Sequence, residues 1–100
     1  MVSEGQRYRA SSDLEITCLT SWAAPYTGGY ERVFPQGEEF IVGNDPVEKA
    51  TAVYADPCNY DKLHEQLIPL QDRQQSKYQG YYLGIKITDI ETKCELVAPK

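Results

Sequence analysis

Polar and apolar residues alternate along several short segments of the chain, which is the pattern of strands with one buried face. The alternation is clearest in two segments, DLEITCL (13–19) and YYLGIKI (81–87). Shorter segments of the same character are QRYRA (6–10), ATAVYA (50–55) and TKCELV (92–97). In the last of these, Cys94 and Leu96 share the apolar face of the predicted strand. The pattern predicts a fold built mainly of short strands.

One segment near the middle predicts a reversal, and another predicts a helix. In YERVFPQGEEFIV (30–42), Pro35 and Gly37 stand between two apolar runs, where they suit a tight turn. From Asn59 the period changes, because Leu63 and Leu67 are four residues apart and Asn59 suits the N-cap position. These spacings predict a short helix over residues 60–67, in which His64 is exposed.

The segment SWAAPYTGGY (21–30) follows neither period, and its proline and paired glycines predict a long loop. We therefore predict a single all-β domain over residues 1–100, with one short helix. Five or six short strands would leave costly sheet edges unless they curl and close, so a small barrel is favoured. An open sheet with the helix packed across it is the alternative.

The segment VFPQGEEFIV (33–42) resembles the diverging turn of Src-homology-three-like small barrels, in which an apolar residue precedes a glycine-acidic step and an apolar strand follows. In that resemblance SWAAPYTGGY takes the place of the family's long first loop. ATAVYA and YYLGIKI take the places of the middle strands. The TDIE segment (88–91) would then be the tight turn before the last strand.

The peptide-binding members of that family carry an ALYDY-like first strand, a Trp pair and a Pro-x-x-Tyr sequence. At those places this chain has RYRASSDLEI, ATAVYA and TDIETKCELV, so the signature residues are absent. The resemblance thus implies a fold and does not imply recognition of proline-rich peptides.

Charge and composition narrow the function classes. The formal net charge is −5 and Lys and Arg residues form no stripe, which disfavours nucleic-acid binding. No apolar run has the length of a signal peptide or a membrane span, so we expect no membrane association. Three cysteines are too few for a disulfide scaffold, and the chain is therefore expected to be cytoplasmic with reduced thiols.

The cysteines and the single histidine allow two chemical hypotheses. A zinc site would need closely spaced ligand pairs, which Cys18, Cys58 and Cys94 do not supply. A cysteine-dependent enzyme would use Cys58 as the nucleophile and His64 as the base, with the thiolate favoured at the helix start. No third residue that would orient His64 is identifiable, so we expect no enzyme activity. Since the ligand pairs of a zinc site are missing as well, we expect no metal and no cofactor.

The strongest functional candidates are aromatic and acidic residues in loops, because Trp and Tyr are enriched at interface hot spots. The predicted partner-binding set pairs an aromatic wall with an acidic one: Trp22, Tyr26, Tyr30, Asp45 and Glu48. Such a cleft would suit an extended segment with basic and apolar residues. We expect a non-enzymatic binding or adaptor module that recognises a protein or peptide partner. The alternatives are the Cys58/His64 enzyme and a small acidic inhibitor of a basic cleft.

Overall fold

In the part of the chain that the structure describes, seven antiparallel strands form one sheet and three short helices accompany it. The structure, a computed structural model, describes residues 1–20, 29–74, 76, 78 and 80–99. The strands are β1 (Arg7–Ala10), β2 (Leu14–Leu19), β3 (Gly29–Phe34), β4 (Glu39–Val42), β5 (Ala52–Pro57), β6 (Tyr82–Lys86) and β7 (Cys94–Ala98). The helices are α1 (Tyr60–Leu67), α2 (Leu70–Arg73) and α3 (Ile87–Lys93).

The sheet is open. Its strand order is β3-β2-β6-β5-β4-β1-β7, so β3 and β7 are the two edges and do not pair with each other. The mostly β composition is confirmed, whereas the predicted closed barrel and the resemblance to Src-homology-three-like barrels are wrong. A closed barrel would require the two edge strands, β3 and β7, to pair with each other. Among the described strands, β3 instead pairs along its whole length with β2 and has no second neighbour.

The turn at PQGE does not join two paired strands. β3 pairs with β2, whereas β4 pairs with β1 and β5, so the chain leaves one side of the sheet and enters the other. Gly37 has a φ of 88°, which favours glycine, and its amide donates to the Ala10 carbonyl oxygen at 2.8 Å. The Gln36 amide donates to Asp13 Oδ1 at 2.8 Å. The turn is therefore held by the β1–β2 connection.

One face of the sheet carries the hydrophobic core, and we call it the core face; the opposite side is the outer face. The strands contribute alternate residues to the core, as the sequence pattern predicts: Tyr8, Ala10, Leu14, Ile16, Cys18, Phe34, Phe40, Val42, Val53, Ala55, Leu83 and Ile85. Phe34 and Phe40 meet edge to face with ring centroids 5.6 Å apart. Cys18 is fully buried here, as predicted, and Cys94 packs against the same core while half-buried.

The helix predicted over residues 60–67 is present as α1, and its two leucines are buried. Asn59 stands at the N-cap position, but its side chain makes no capping hydrogen bond. Two further helices were not predicted. α3 occupies the place of the expected tight turn, with Ile90 buried and an Asp89–Lys93 ion pair at 3.8 Å. No helix in the described ranges is long and apolar enough to cross a bilayer.

Candidate functional site

The structure places three of the five predicted partner-binding residues. Trp22 and Tyr26 lie outside the described residues. Tyr30 is half-buried in β3, where it packs against the core and carries the Arg32 guanidinium 5.0 Å from its ring centroid. Asp45 and Glu48 are exposed in the β4–β5 loop. Because β2 and β6 separate β3 from β5, Tyr30 is not brought beside the acidic pair.

The outer face holds a depression that the sequence analysis did not predict. At its centre, Gly84 of β6 pairs with Thr17 on one side and Tyr54 on the other. Since Gly84 has no side chain, the floor of the sheet is open between these neighbours. The depression has a volume of about 400 Å³, and Ala52 and Lys86 also line it.

A second depression joins the first at the β4–β5 loop. It has a volume of about 350 Å³ and shares Ala52, Tyr54 and Gly84 with the first, while Asn44 and Val47 line its far end. The Tyr54 amide donates to Asn44 Oδ1 at 2.8 Å, so the loop is tied to β5. The predicted residues Asp45 and Glu48 belong to this loop.

A third depression extends the surface to the edge strand β3. It has a volume of about 270 Å³ and shares Glu15 and Glu31 with the central depression, while Val33 lines it at the edge. The three depressions form one trough, which we call the outer trough, and it runs across β5, β6, β2 and β3. Thr17 Oγ1 donates to Glu31 Oε1 at 3.4 Å, and no ion pair among the described residues involves Glu15 or Glu31.

Tyr54 forms a wall of the outer trough, and Tyr82 packs against it. Tyr54 is 47% exposed, and its ring meets the ring of Tyr82 edge to face at 4.9 Å. Tyr82 has the outer-face position that its place in the alternation predicts, yet only 2% of its surface is exposed. Edge-to-face packing restrains the Tyr54 ring, so a rigid aromatic surface stands beside the glycine floor.

Cys58 and His64 have surroundings that differ from those of a nucleophile and its base. Burial, together with the Glu39 and Glu38 carboxylates, raises the pKa of the Cys58 thiol despite the opposing effect of Arg7. A raised pKa disfavours the thiolate, which is the reactive form.

His64 is half-buried rather than exposed as predicted. It lies against the rings of Tyr60, Tyr78 and Tyr81, and its Nδ1 is 3.3 Å from the Tyr78 hydroxyl. The burial follows from the aromatic residues after α2, which fold back onto α1.

Metal binding has no support in the part of the chain that the structure describes, where no group of three or more His, Cys, Asp or Glu side chains could hold an ion. Burial raises the pKa of Cys18 to about 12 and that of Cys94 to about 11, which suits small apolar side chains rather than ligands.

The sequence matches no protein-family model, no curated protein and no solved structure.

The outer trough was missed because its signals are individually weak. A glycine inside an otherwise regular strand marks either a bend or a close approach to another chain, and Gly84 has this position. Tyr54 is the large aromatic residue on the polar side of its strand. Only the pairing of β5 with β6 puts the two side by side, and strand pairing was not predictable from the spacing.

Proposed function

We propose that this chain is a non-enzymatic binding module that recognises a protein partner through the outer trough. The observation that supports this is the continuity of the trough, in which exposed Tyr54 stands beside the open floor at Gly84. Concave, mostly apolar surfaces with a few polar groups are the usual form of small-molecule sites, and grooves also take extended segments of protein partners. A rigid tyrosine provides contact area at a low cost in conformational entropy.

The loop residues predicted from the sequence belong to the same proposal. Asp45 and Glu48 are in the loop that lines one end of the outer trough, so they would meet a partner that extends beyond Val47. Trp22 and Tyr26 remain predicted contact residues. The raised pKa of the Cys58 thiol supports a non-enzymatic role over the cysteine-dependent alternative, because it disfavours the thiolate that such an enzyme would need.

Substitution of Gly84 by valine tests the proposal. A Cβ at Gly84 would meet Thr17 O at 3.6 Å and Thr17 Cβ at 3.9 Å, which are ordinary contacts, so a side chain can begin at this position without displacing the backbone. We expect the two methyl groups of valine to extend into the trough. Valine also favours strands, and we expect the free energy of unfolding to change by less than about 1 kcal/mol. The matched control is Gln66→Val. Gln66 is exposed on α1, away from the outer trough, so this variant adds the same side chain to the surface without filling the trough.

The measurement is affinity capture from the lysate of the source cells with the three immobilised proteins, followed by quantitative mass spectrometry. We expect a partner that the wild type and Gln66→Val retain equally, and that Gly84→Val retains at least tenfold less. Equal retention by all three proteins would overturn the proposal. So would failure of the folded wild type to retain any protein above the blank matrix.

A further inference from the structure

The width of the outer trough selects the backbone conformation of its occupant. On β6 the outer-face neighbours of Gly84 are Tyr82 and Lys86, and both carry side chains. Two residues four positions apart in a strand are separated by about 13 Å, and their side chains occupy part of that distance. A helix with its side chains is about 10–12 Å across, so it cannot reach the floor at Gly84. An extended chain can.

The length of the outer trough sets the size of the segment. Neighbouring strands lie about 4.8 Å apart, so the crossing from β5 to β3 spans about 14 Å before the β4–β5 loop is added. An extended chain advances about 3.3 Å per residue, and five or six residues would therefore fill the trough. This segment would run across the strands of the sheet rather than along an edge.

Charged residues line the β3 end of the outer trough. Glu15 and Glu31 lie in the overlap of two depressions, while Lys86 lines the central depression and Arg32 lines the one at the edge. The Arg32 guanidinium donates to the Glu31 backbone carbonyl oxygen at 2.9 Å. Since no described residue forms an ion pair with either carboxylate, a basic side chain of the partner can bind there without displacing an existing ion pair. At the opposite end Val47 is 71% exposed, in the loop that also holds the two predicted acidic residues.

The centre of the outer trough is apolar on its β5 side. Gly84 and Ala52 leave the floor open, and the Tyr54 ring forms the wall. An aliphatic or aromatic side chain of the partner would fill this position. Glu31 lies two strands from Gly84 in the same cross-strand row, which corresponds to about 10 Å, or about three residues of an extended chain.

We infer that the outer trough binds an extended segment of a partner protein in which a Lys or Arg residue lies two to four positions from an aliphatic or aromatic residue. The apolar side chain lies over Gly84 beside Tyr54, and the basic side chain contacts Glu15 and Glu31. The inference rests on the proposed function and adds the chemistry of the partner.

A random decapeptide library displayed on phage tests the inference. The selection uses the wild-type protein, and synthetic peptides of the enriched sequences are then measured by fluorescence anisotropy. We expect enrichment of one basic residue near one apolar residue at the stated spacing. Binding should weaken at least tenfold in Gly84→Val and at least fivefold in the double variant Glu15→Gln/Glu31→Gln, and added salt should weaken it in the wild type.

The control is Glu65→Gln, which removes an exposed carboxylate from α1 and should leave peptide affinity unchanged. Enrichment of acidic or purely apolar peptides would overturn the inference, as would equal affinity of the wild type and the double variant. If Gly84→Val loses a folded partner in the capture experiment while the library yields no peptide, the inference fails and the proposed function stands.

Discussion

Glu38 is a carboxylate that is 9% exposed, at the point where the turn before β4 meets α1. Lys62 Nζ donates to Glu38 Oε2 at 2.7 Å, and Asn59 Nδ2 donates to Oε1 at 3.0 Å. These hydrogen bonds, that from Lys62 foremost, lower the pKa of Glu38 below its ordinary value of 4.5. The expected N-cap role of Asn59 is thus replaced by a link from α1 to the sheet.

This link makes part of the stability depend on pH. Because the pKa of Glu38 is lower in the folded state than in the unfolded state, its contribution is present above the ordinary value and is lost as pH falls through the folded-state pKa. We expect the wild type to have a higher urea midpoint than Glu38→Gln at pH 7. The difference should shrink as the pH is lowered below 4.5.

The control for this titration is Glu65→Gln, since Glu65 is exposed on α1 and no described ion pair includes it. At pH 7 its midpoint should match that of the wild type. A difference between wild type and Glu38→Gln that stayed constant down to pH values well below 4.5 would contradict the lowered pKa.

At the scale of elements, α1 is joined to the start of β6 by two stacked tyrosines. The rings of Tyr60 and Tyr81 have centroids 4.3 Å apart and are inclined by 21°. The Tyr81 amide donates to the Tyr60 hydroxyl at 3.2 Å, and the Tyr81 hydroxyl donates to the Tyr60 carbonyl at 2.8 Å. Gly80 precedes this contact with a φ of 110°. The pair fixes the angle at which the chain returns from the helices to the sheet.

Substitution of Gly80 by alanine should loosen this junction. A Cβ at Gly80 would lie 2.9 Å from the Tyr60 hydroxyl, and alanine rarely adopts a φ of 110°. We expect a loss of about 1–3 kcal/mol in the free energy of unfolding, measured by urea denaturation. The matched control is Gly84→Ala, whose φ is not positive and whose Cβ meets only ordinary contacts; it should cost less than about 1 kcal/mol.

The double variant Gly80→Ala/Tyr60→Phe separates the two causes. It removes the hydroxyl that the new Cβ would meet, and it leaves the backbone strain in place. If Gly80→Ala costs less stability in the Tyr60→Phe protein than in the wild type, the steric contact with the hydroxyl is one of the causes. A Gly80→Ala protein as stable as the wild type would show that neither cause operates.

The elements whose residues follow one period were predictable, and those that change period were not. Leu14, Ile16 and Cys18 are buried as their alternation predicts, and Leu63 and Leu67 place α1 correctly. At Ile87 the alternation of β6 continues in the sequence, but the chain turns into α3 because Ile90 enters the core one helical turn later. One apolar residue in that position is too little for a helical prediction.

The candidate site was less predictable than the fold, because it depends on which strands become neighbours. Gly84 is one of several glycines, and its importance comes from its pairing with Tyr54 and Thr17. Partners in these ladders are distant along the chain, and the alternation within a strand carries no information about them. Loop composition pointed instead to Trp22 and Tyr26, which stay predicted contact residues.

At the scale of the whole molecule, the sheet joins the two ends of the chain. β7 pairs with β1, with Arg9 opposite Glu95 and Ala10 opposite Cys94, so the last strand covers one side of the first. The expectation of a barrel assumed that edges must be closed. Here β7 is an edge with Leu96 and Val97 partly exposed, while charged residues including Glu95 stand beside them, which is one way in which proteins protect edges.

Removal of β7 tests whether the sheet is one cooperative unit. A chain that ends at Lys93 leaves β1 with β4 as its only neighbour among the described strands and removes the cover that Cys94 gives to the core. Because the buried residues of the other six strands belong to one cluster and Cys94 packs against it, we expect the whole domain to lose its cooperative transition. The measurement is far- and near-ultraviolet circular dichroism against urea.

A control that lacks only residues 99 and 100 should unfold at the wild-type midpoint. A truncated chain that kept the wild-type midpoint would show that β7 is peripheral to the folding unit.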